Sequence, residues 1–273
     1  MNPDTITDWL AQCALPRLEA RMLLQHFTGL THAQILTHGQ QRLPEKQWAA
    51  LQQAAAKRQR GEPMAYILGE REFYGRRFEV TPDVLIPRPE TEHLVDAALS
   101  RLPPNGALWD LGTGSGAIAV TLACERPDAH IWASDVSANA LTIAKRNADA
   151  FQATITLGWG SWFDANPRPQ AHSLDVLISN PPYIESQDHH LQQGDLRFEP
   201  RHALTDFADG LSAIRTIIAQ APCFLKSAGW LMLEHGFDQG RAVRAAMEQQ
   251  GFQHVQTQQD WANLDRLTLG QMA

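Results

Sequence analysis

Only three of the 273 residues are cysteine, Cys13, Cys124 and Cys223, and no two form a CxxC pair. An odd, widely spaced set supplies neither a disulfide framework nor a zinc site, so reduced thiols and no structural metal are expected. Long apolar runs are missing as well: none approaches the roughly 18–20 residues needed to cross a bilayer. Met1 to Cys13 carries Asp4 and Asp8 and no basic stretch, so no secretory leader is expected and a cytoplasmic location is. Positive charge is in short supply, with 23 Lys and Arg against 30 Asp and Glu and a net charge of -7. Broad nucleic-acid binding needs clustered cations to displace counterions, so no direct nucleic-acid partner is expected. The short runs Lys57-Arg58 with Arg60, and Arg76-Arg77, are either solvated faces or local patches for an acidic or RNA-like partner. No internal repeat or low-complexity segment is present.

What is there divides the chain. A hydrophobic fraction of 44% over this length supports two domains with cores of their own. Up to about Arg60 the pattern is helical. Leu10, Leu15, Leu18, Met22, Leu23 and Leu24 recur near helical spacing, and Glu45 to Arg60 is rich in Gln, Ala and Lys. Pro16 and Pro44 suit helix starts. From Tyr66 to Val84 the pattern changes: Phe73, Tyr74, Phe78 and Val80 flank Gly75-Arg76-Arg77, which predicts a hairpin. The prolines of Ile86-Pro87-Arg88-Pro89-Glu90-Thr91-Glu92 stop that element, and its acids suit the first turn of a helix. After Gly106, apolar runs at Leu108–Leu111, His130–Ser134, Ile155–Gly158, Asp175–Ser179 and Trp230–Glu234 alternate with helical stretches. That alternation predicts a parallel sheet covered on both faces, and residues 252–257 and 265–269 can add a terminal pair of strands. The expected division is a helical bundle over 1–70, hairpin and linker over 71–92, and an α/β domain over 93–273.

Asp110-Leu111-Gly112-Thr113-Gly114-Ser115-Gly116 follows an apolar strand and opens a helix near Ala117. The glycines permit a tight turn and close approach of a ligand, with unpaired N–H groups of the helix behind them. The spacing is GxGxG preceded by an acid, and not the dinucleotide GxGxxG. It fits a ligand without a pyrophosphate, such as S-adenosylmethionine. Asp135 ends the next strand, where an acid commonly meets ribose hydroxyls, and Ser137 is as good a helix cap, so capping does not require Asp135.

Asn180-Pro181-Pro182-Tyr183 follows the strand Asp175–Ser179, at the carboxyl end where open parallel sheets bind ligands. An amide or exocyclic amine nitrogen is a poor nucleophile because its lone pair is delocalised. Two acceptors for its two N–H bonds, the Asn180 side-chain oxygen and the Pro181 carbonyl, leave the lone pair facing a methyl donor. Pro181 and Pro182 hold the backbone in place, and Tyr183 supplies a flat wall against a planar amide or base. Trp162 follows the third strand and either borders an adenine ring or packs in the core. His189, His190 and His235 lack metal-ligand spacing and read as loop or satisfied histidines.

These motifs together resemble the HemK/PrmC enzymes, the release factor glutamine N5-methyltransferases. The likeness spans nearly the whole chain: the helical N-terminal region, GEREFYG at 69–75, IPRPETE at 86–92, DLGTGSGAIA at 110–119, SNPPYI at 179–184, FEPRHAL at 198–204 and DGL at 209–211. NPPY alone is shared with DNA adenine and rRNA guanine methyltransferases; IPRPETE ahead of DLGTGSG is far more specific. The resemblance implies a class I S-adenosylmethionine-dependent methyltransferase fold, a Rossmann-like, seven-stranded, mostly parallel sheet, with a small all-helical N-terminal domain. A glutamine side chain is too small to give selectivity by itself, so the helical region is expected either to be a second docking surface for the substrate or to cover an apolar face of the sheet. It implies a donor site at Gly112, Thr113, Gly114, Ser115, Gly116, Asp135, Trp162 and Asn180. It implies that Asn180, Pro181, Pro182 and Tyr183 receive the glutamine of the Gly-Gly-Gln motif of class-1 release factors, leaving S-adenosylhomocysteine. The rival readings are a ribosomal-protein glutamine methyltransferase and a DNA adenine N6-methyltransferase. The last usually carries a basic, aromatic recognition region that this acidic chain lacks.

Overall fold

Prolines and capping threonines punctuate the start of the chain. The computed structural model describes residues 5–273, so Met1 to Asp4 of the expected helical region lie outside the described residues. The chain divides into two units, Met1–Glu70 and Arg71–Ala273. In the first run α1 (Ile6–Gln12), α2 (Arg17–Thr28), α3 (His32–Thr37), α4 (Glu45–Gln59) and α5 (Met64–Leu68). Pro16, Pro44 and Pro63 stand at the N-caps of α2, α4 and α5. Thr31 caps α3 in a reciprocal box with Gln34. Trp9, Leu23, Leu24, Ile35 and Leu51 form this unit's own core. Two details depart from the sequence reading. Leu18 is exposed, because the buried stripe of α2 runs through Ala20, Leu23 and Leu24 on the opposite face. Tyr66 is helical, because Pro63 starts and Gly69 stops a short helix ahead of the hairpin.

The hairpin pairs β1 (Glu70–Phe73) with β2 (Arg76–Glu79). Tyr74 and Gly75 both have positive φ, 51° and 71°, as a two-residue turn matched to strand twist requires. After α6 (Glu92–Leu99) come β3 (Ala107–Leu111), α7 (Ala117–Glu125), β4 (His130–Asp135), α8 (Ala138–Ala150), β5 (Ile155–Trp159) and β6 (Leu174–Ser179). Then follow α9 (Arg201–Leu204), α10 (Ser212–Gln220), β7 (Leu225–Glu234), α11 (Gly240–Gln249), β8 (Gln253–Gln259) and β9 (Asp265–Gln271). The seven-stranded sheet has the order β5-β4-β3-β6-β7-β9-β8, with β9 antiparallel to both neighbours. The expected mostly parallel sheet and its terminal pair are therefore present.

Side-chain alternation separates the two faces. Leu108, Val176, Ile178 and Met232 pack with Leu94, Val95 and Val120 from α6 and α7. Trp109, Leu111, Leu177, Leu231 and Leu233 pack with Ile214, Ile217, Val243 and Met247 from α10 and α11. β7 extends five residues upstream of the apolar run that predicts it, since Leu225 pairs with Leu174 through a register shift and Met272 donates to the Gly229 carbonyl. The chain leaves β3 toward β4 and β5, then returns to β6 on the other side of β3. The crevice between β3 and β6 is thus the topological switch point where such sheets bind ligands. Leu111 is level with Ser134 and Ser179, and Ser179 with Leu233, so the strand ends share one rim.

Candidate active site

The loop after β3 is shaped by left-handed glycines. Gly112 has φ 74° and Gly116 φ 80°, and the N–H groups of Gly112 and Thr113 both donate to the Ser134 carbonyl at 2.9 Å. A Cβ on Gly112 would meet only the Trp162 ring at 3.6 Å, whereas one on Gly116 would lie 3.0 Å from the Ala144 Cβ. Gly116 is therefore needed for helix packing as well as for conformation. Buried Asn147 of α8 braces the loop, donating to the Ser115 carbonyl at 2.8 Å and accepting from Glu79 N at 2.7 Å.

Two acids lie beneath and beside this loop. Asp110 is fully buried; its Oδ2 accepts from Thr113 Oγ1 at 2.7 Å, and Oδ1 has no partner among the described residues. Burial pushes it up to about 7, against the pull of the Thr113 hydrogen bond and with help from the negative Asp135. Asp135 accepts Gly114 N on Oδ2 and Ser137 N on Oδ1, each at 2.9 Å, and so fixes the loop and the entry to α8 at once. Burial raises its pKa while those two N–H bonds oppose the rise. Ser137 caps α8 by accepting from Ala140 N, as its position in the sequence suggested. Each Asp135 oxygen keeps acceptor capacity after one N–H bond, which fits a ligand offering two hydroxyls.

Three cavities meet at Asn180. The largest, about 370 Å³, is lined by Gly112, Gly114, Asp135, Trp162, Asn180 and Pro182, within the size range of small-molecule sites. A pocket of about 40 Å³ is lined by Thr113, Ser115, Thr91 and Asn180. A third, about 60 Å³, is lined by Asn180, Pro181, Tyr183, Arg88 and Leu204. Every residue expected in the site thus borders one of these spaces except Gly116, which packs behind the loop. Trp162 borders the large cavity and packs against the core. His235 is a satisfied core histidine, bonded to Thr268 Oγ1 and the Gly236 carbonyl, each at 2.8 Å. Exposed His190 is paired with Asp188 at 2.7 Å.

The NPPY segment is held from several sides. Ser179 Oγ donates to the Leu111 carbonyl at 2.6 Å, tying β6 to β3. Asn180 Nδ2 donates to Thr91 Oγ1 at 3.2 Å, leaving Oδ1 without a partner among the described residues. The Tyr183 carbonyl accepts from Gln239 Nε2 at 2.9 Å, and its hydroxyl lies 3.4 Å from Glu234 Oε1. Burial and the adjacent Glu234 charge raise the Tyr183 pKa, so the phenol stays protonated. Buried Glu199 accepts from Ile86 N at 2.9 Å and pairs with Arg88, which joins the IPRPETE and FEPRHAL segments.

Sequence reasoning named neither Thr91, Glu199 nor Glu234 as a site residue. For Glu234 a signal existed, since an acid ends the apolar strand Trp230–Glu234 just as Asp135 ends β4. Cavity-lining His202, Asp206 and Phe207 come from a segment without periodicity and had no such signal.

Residues 5–69 match the family described as PrmC N-terminal domain, and residues 91–196 the one described as methyltransferase small domain. The release factor glutamine methyltransferase of Neisseria gonorrhoeae is 56% identical over 266 residues, 97% of each chain. That of Bordetella pertussis is 48% identical over 267 residues, 97% of this chain and 98% of that one. A solved methyltransferase structure from Pyrococcus furiosus superposes with a TM-score of 0.55 at 15% identity, over 84% of this chain and 98% of that one, a likeness of fold alone.

Proposed function

The chain belongs to the release factor glutamine methyltransferase family, and from that premise we propose that it methylates the side-chain amide nitrogen of the glutamine in the Gly-Gly-Gln motif of class-1 peptide chain release factors. S-adenosylmethionine supplies the methyl group and leaves as S-adenosylhomocysteine. The α/β unit has the class I S-adenosylmethionine-dependent methyltransferase fold. The observation that carries the reading is the position of Asn180 between the cavity of about 370 Å³ and the pocket of about 60 Å³. A donor in the first and an amide side chain in the second meet at this residue.

In this reading Asp135 accepts from the donor's ribose hydroxyls, and the loop from Gly112 to Gly116 holds its amino-acid end. Trp162 borders the adenine. Asn180 Oδ1 and the Pro181 carbonyl accept the two N–H bonds of the substrate amide, so its lone pair faces the methyl group. Tyr183 forms the flat wall, fixed at its carbonyl by Gln239. No residue here removes the proton first; positioning carries the catalysis, and the proton leaves late to water or a neighbour. Residues 1–70 serve as a second docking surface for the release factor, whose place of work makes the reaction cytoplasmic.

Mass spectrometry of the Gly-Gly-Gln peptide, after incubating intact release factor with enzyme and donor, tests the proposal. One added methyl group on the glutamine is expected with the wild type and not with Asn180→Ala. Methylation of a ribosomal-protein glutamine or of adenine in place of the release factor would sink it.

A further inference from the structure

Exposed apolar side chains are ordinary when they are scattered over a surface. In the second unit they are gathered. Its exposed large apolar residues, among the described residues, are Val136, Trp159, Phe207, Phe237, Trp261 and Leu264. Val136 follows β4, Trp159 ends β5, Phe207 lies between β6 and α10, and Phe237 follows β7. Trp261 and Leu264 lie in the turn from β8 to β9. β9 is antiparallel to both β7 and β8, so β8 runs with β7 and that turn also stands at the carboxyl rim. All six therefore share the rim that carries Asn180.

The rim has two sides. Val136 and Phe207 border the cavity of about 370 Å³, and the Trp159 indole donates to the Val136 carbonyl at 3.0 Å, so these three belong with the donor. Phe237, Trp261 and Leu264 border none of the three cavities that meet at Asn180. They lie on the far side of β6 from the donor, in the strand order β3-β6-β7-β9-β8. At 61%, 84% and 42% exposure they bury too little to serve the core.

Their turns are nonetheless held in place. Gln239 Nε2 donates to the Tyr183 carbonyl at 2.9 Å and Gln239 Oε1 accepts from Gly236 N at 2.9 Å, which ties the turn carrying Phe237 to the NPPY segment. Buried Asp260 accepts from Ala262 N at 2.9 Å and Leu264 N at 3.1 Å on Oδ1, and from Arg266 Nε at 3.2 Å and Nη2 at 3.1 Å on Oδ2. The Trp261 ring stands 4.9 Å from the ring of His93, in the first turn of α6. Two residues before His93, Thr91 accepts from Asn180 Nδ2. An aromatic side chain on a braced turn loses little freedom on binding and offers a large contact area, which is why tryptophan is enriched among the residues that dominate protein interfaces.

We infer that Trp261, with Phe237 and Leu264, is a docking surface for the body of the release factor, beside the pocket that receives its glutamine. This rests on the methyl-transfer reading of the site. Continuity with that pocket names the occupant: the donor takes the β3 and β4 side of Asn180, so the folded partner that carries the glutamine lies over the β7 and β9 side. One amide side chain in a pocket of about 60 Å³ does not select one glutamine among many; contact beyond the pocket does. The three residues supply that contact on the unit that carries the chemistry, and they act on binding of the partner, not on the methyl-transfer step.

The test uses full-length wild-type, Trp261→Ala and Phe237→Ala enzymes with intact release factor, calorimetry for donor binding, and sedimentation at the assay concentration. Both side chains are exposed, so the variants keep the fold. Each is expected to raise release-factor KM by about fivefold or more, with kcat and donor affinity within about twofold of the wild type. If the wild type transfers no methyl group to release factor, the methyl-transfer reading falls and the docking surface with it. If it does, and both variants raise KM by less than about fivefold, the docking surface alone falls. A loss confined to kcat or donor affinity also overturns it, since the turns then support the site and not the partner. So does a wild-type dimer that Trp261→Ala converts to a monomer with release-factor KM unchanged, which gives the surface to a second copy of the chain.

Discussion

Asp135 accepts two backbone N–H bonds of the protein and still has capacity for a ligand. Asp135→Ala is therefore expected to loosen the glycine loop as well as remove the charged acceptor. A hydrogen bond to a charged group is worth roughly 1.5–3 kcal/mol, so donor affinity should fall by about tenfold or more. Unchanged affinity by calorimetry, in a folded variant, would remove Asp135 from the site. Asp110 makes a different prediction. Its carboxyl is raised from 3.8 to about 7, so between those values the folded chain binds more protons than the unfolded one. Stability must then fall as pH rises from about 4 to about 7 and level off above, by an amount on the order of 4 kcal/mol for this group. Urea unfolding of donor-free protein across that range checks it: Asp110→Asn should gain stability relative to the wild type as pH rises. A gap between the two that stays constant with pH contradicts the assignment.

At the level of the element, the glycine loop is a strand end, a tight turn and a helix start in seven residues. Its glycines are not equivalent. A Cβ at Gly114 would meet nothing within 4 Å, while at Gly116, φ 80°, it would press on the backbone and Cβ of Ala144 in α8. Both substitutions carry the left-handed penalty of roughly 1–2 kcal/mol. Only Gly116→Ala must also part α7 from α8. Thermal unfolding should show Gly116→Ala clearly less stable than Gly114→Ala, and equal melting temperatures would refute the packing argument. The strand-end rim follows a similar logic. Asp135 and Glu234 end β4 and β7, Asn180 directly follows β6, and level pairing of β3, β4, β6 and β7 brings these strand ends together.

For the whole molecule, the two units each have a core of their own: Trp9, Leu23, Leu24 and Ile35 in one, the two faces of the sheet in the other. The residues assigned to donor and amide all lie in the second unit. Deleting residues 1–70 is expected to leave donor affinity within about threefold. KM for intact release factor should rise by about tenfold or more, since a single glutamine side chain carries too little contact surface for selectivity. Donor titration and methylation kinetics on the truncated chain measure both. Full efficiency on intact release factor would refute the docking role, and loss of donor binding would mean that the helices support the fold.

Local chemistry determined a good deal from the sequence alone. Period-2 and period-3.6 patterns, proline and glycine punctuation, and the order of motifs were enough for the helical region, the hairpin, the parallel sheet and the family. They also marked Asp135 and the NPPY segment, because an acid or a proline pair directly after an apolar strand is a local signal. Tertiary structure alone decided which groups meet. Asn180 and Thr91 are 89 positions apart, and Tyr183 and Glu234 51. Their encounter depends on strand order at the switch point between β3 and β6, which no local pattern encodes. Burial of Glu234 and Asp110 was likewise invisible, since a carboxyl at a strand end reads the same whether its surroundings are water or packed side chains. The environment that moves their protons exists only once the sheet has closed over them.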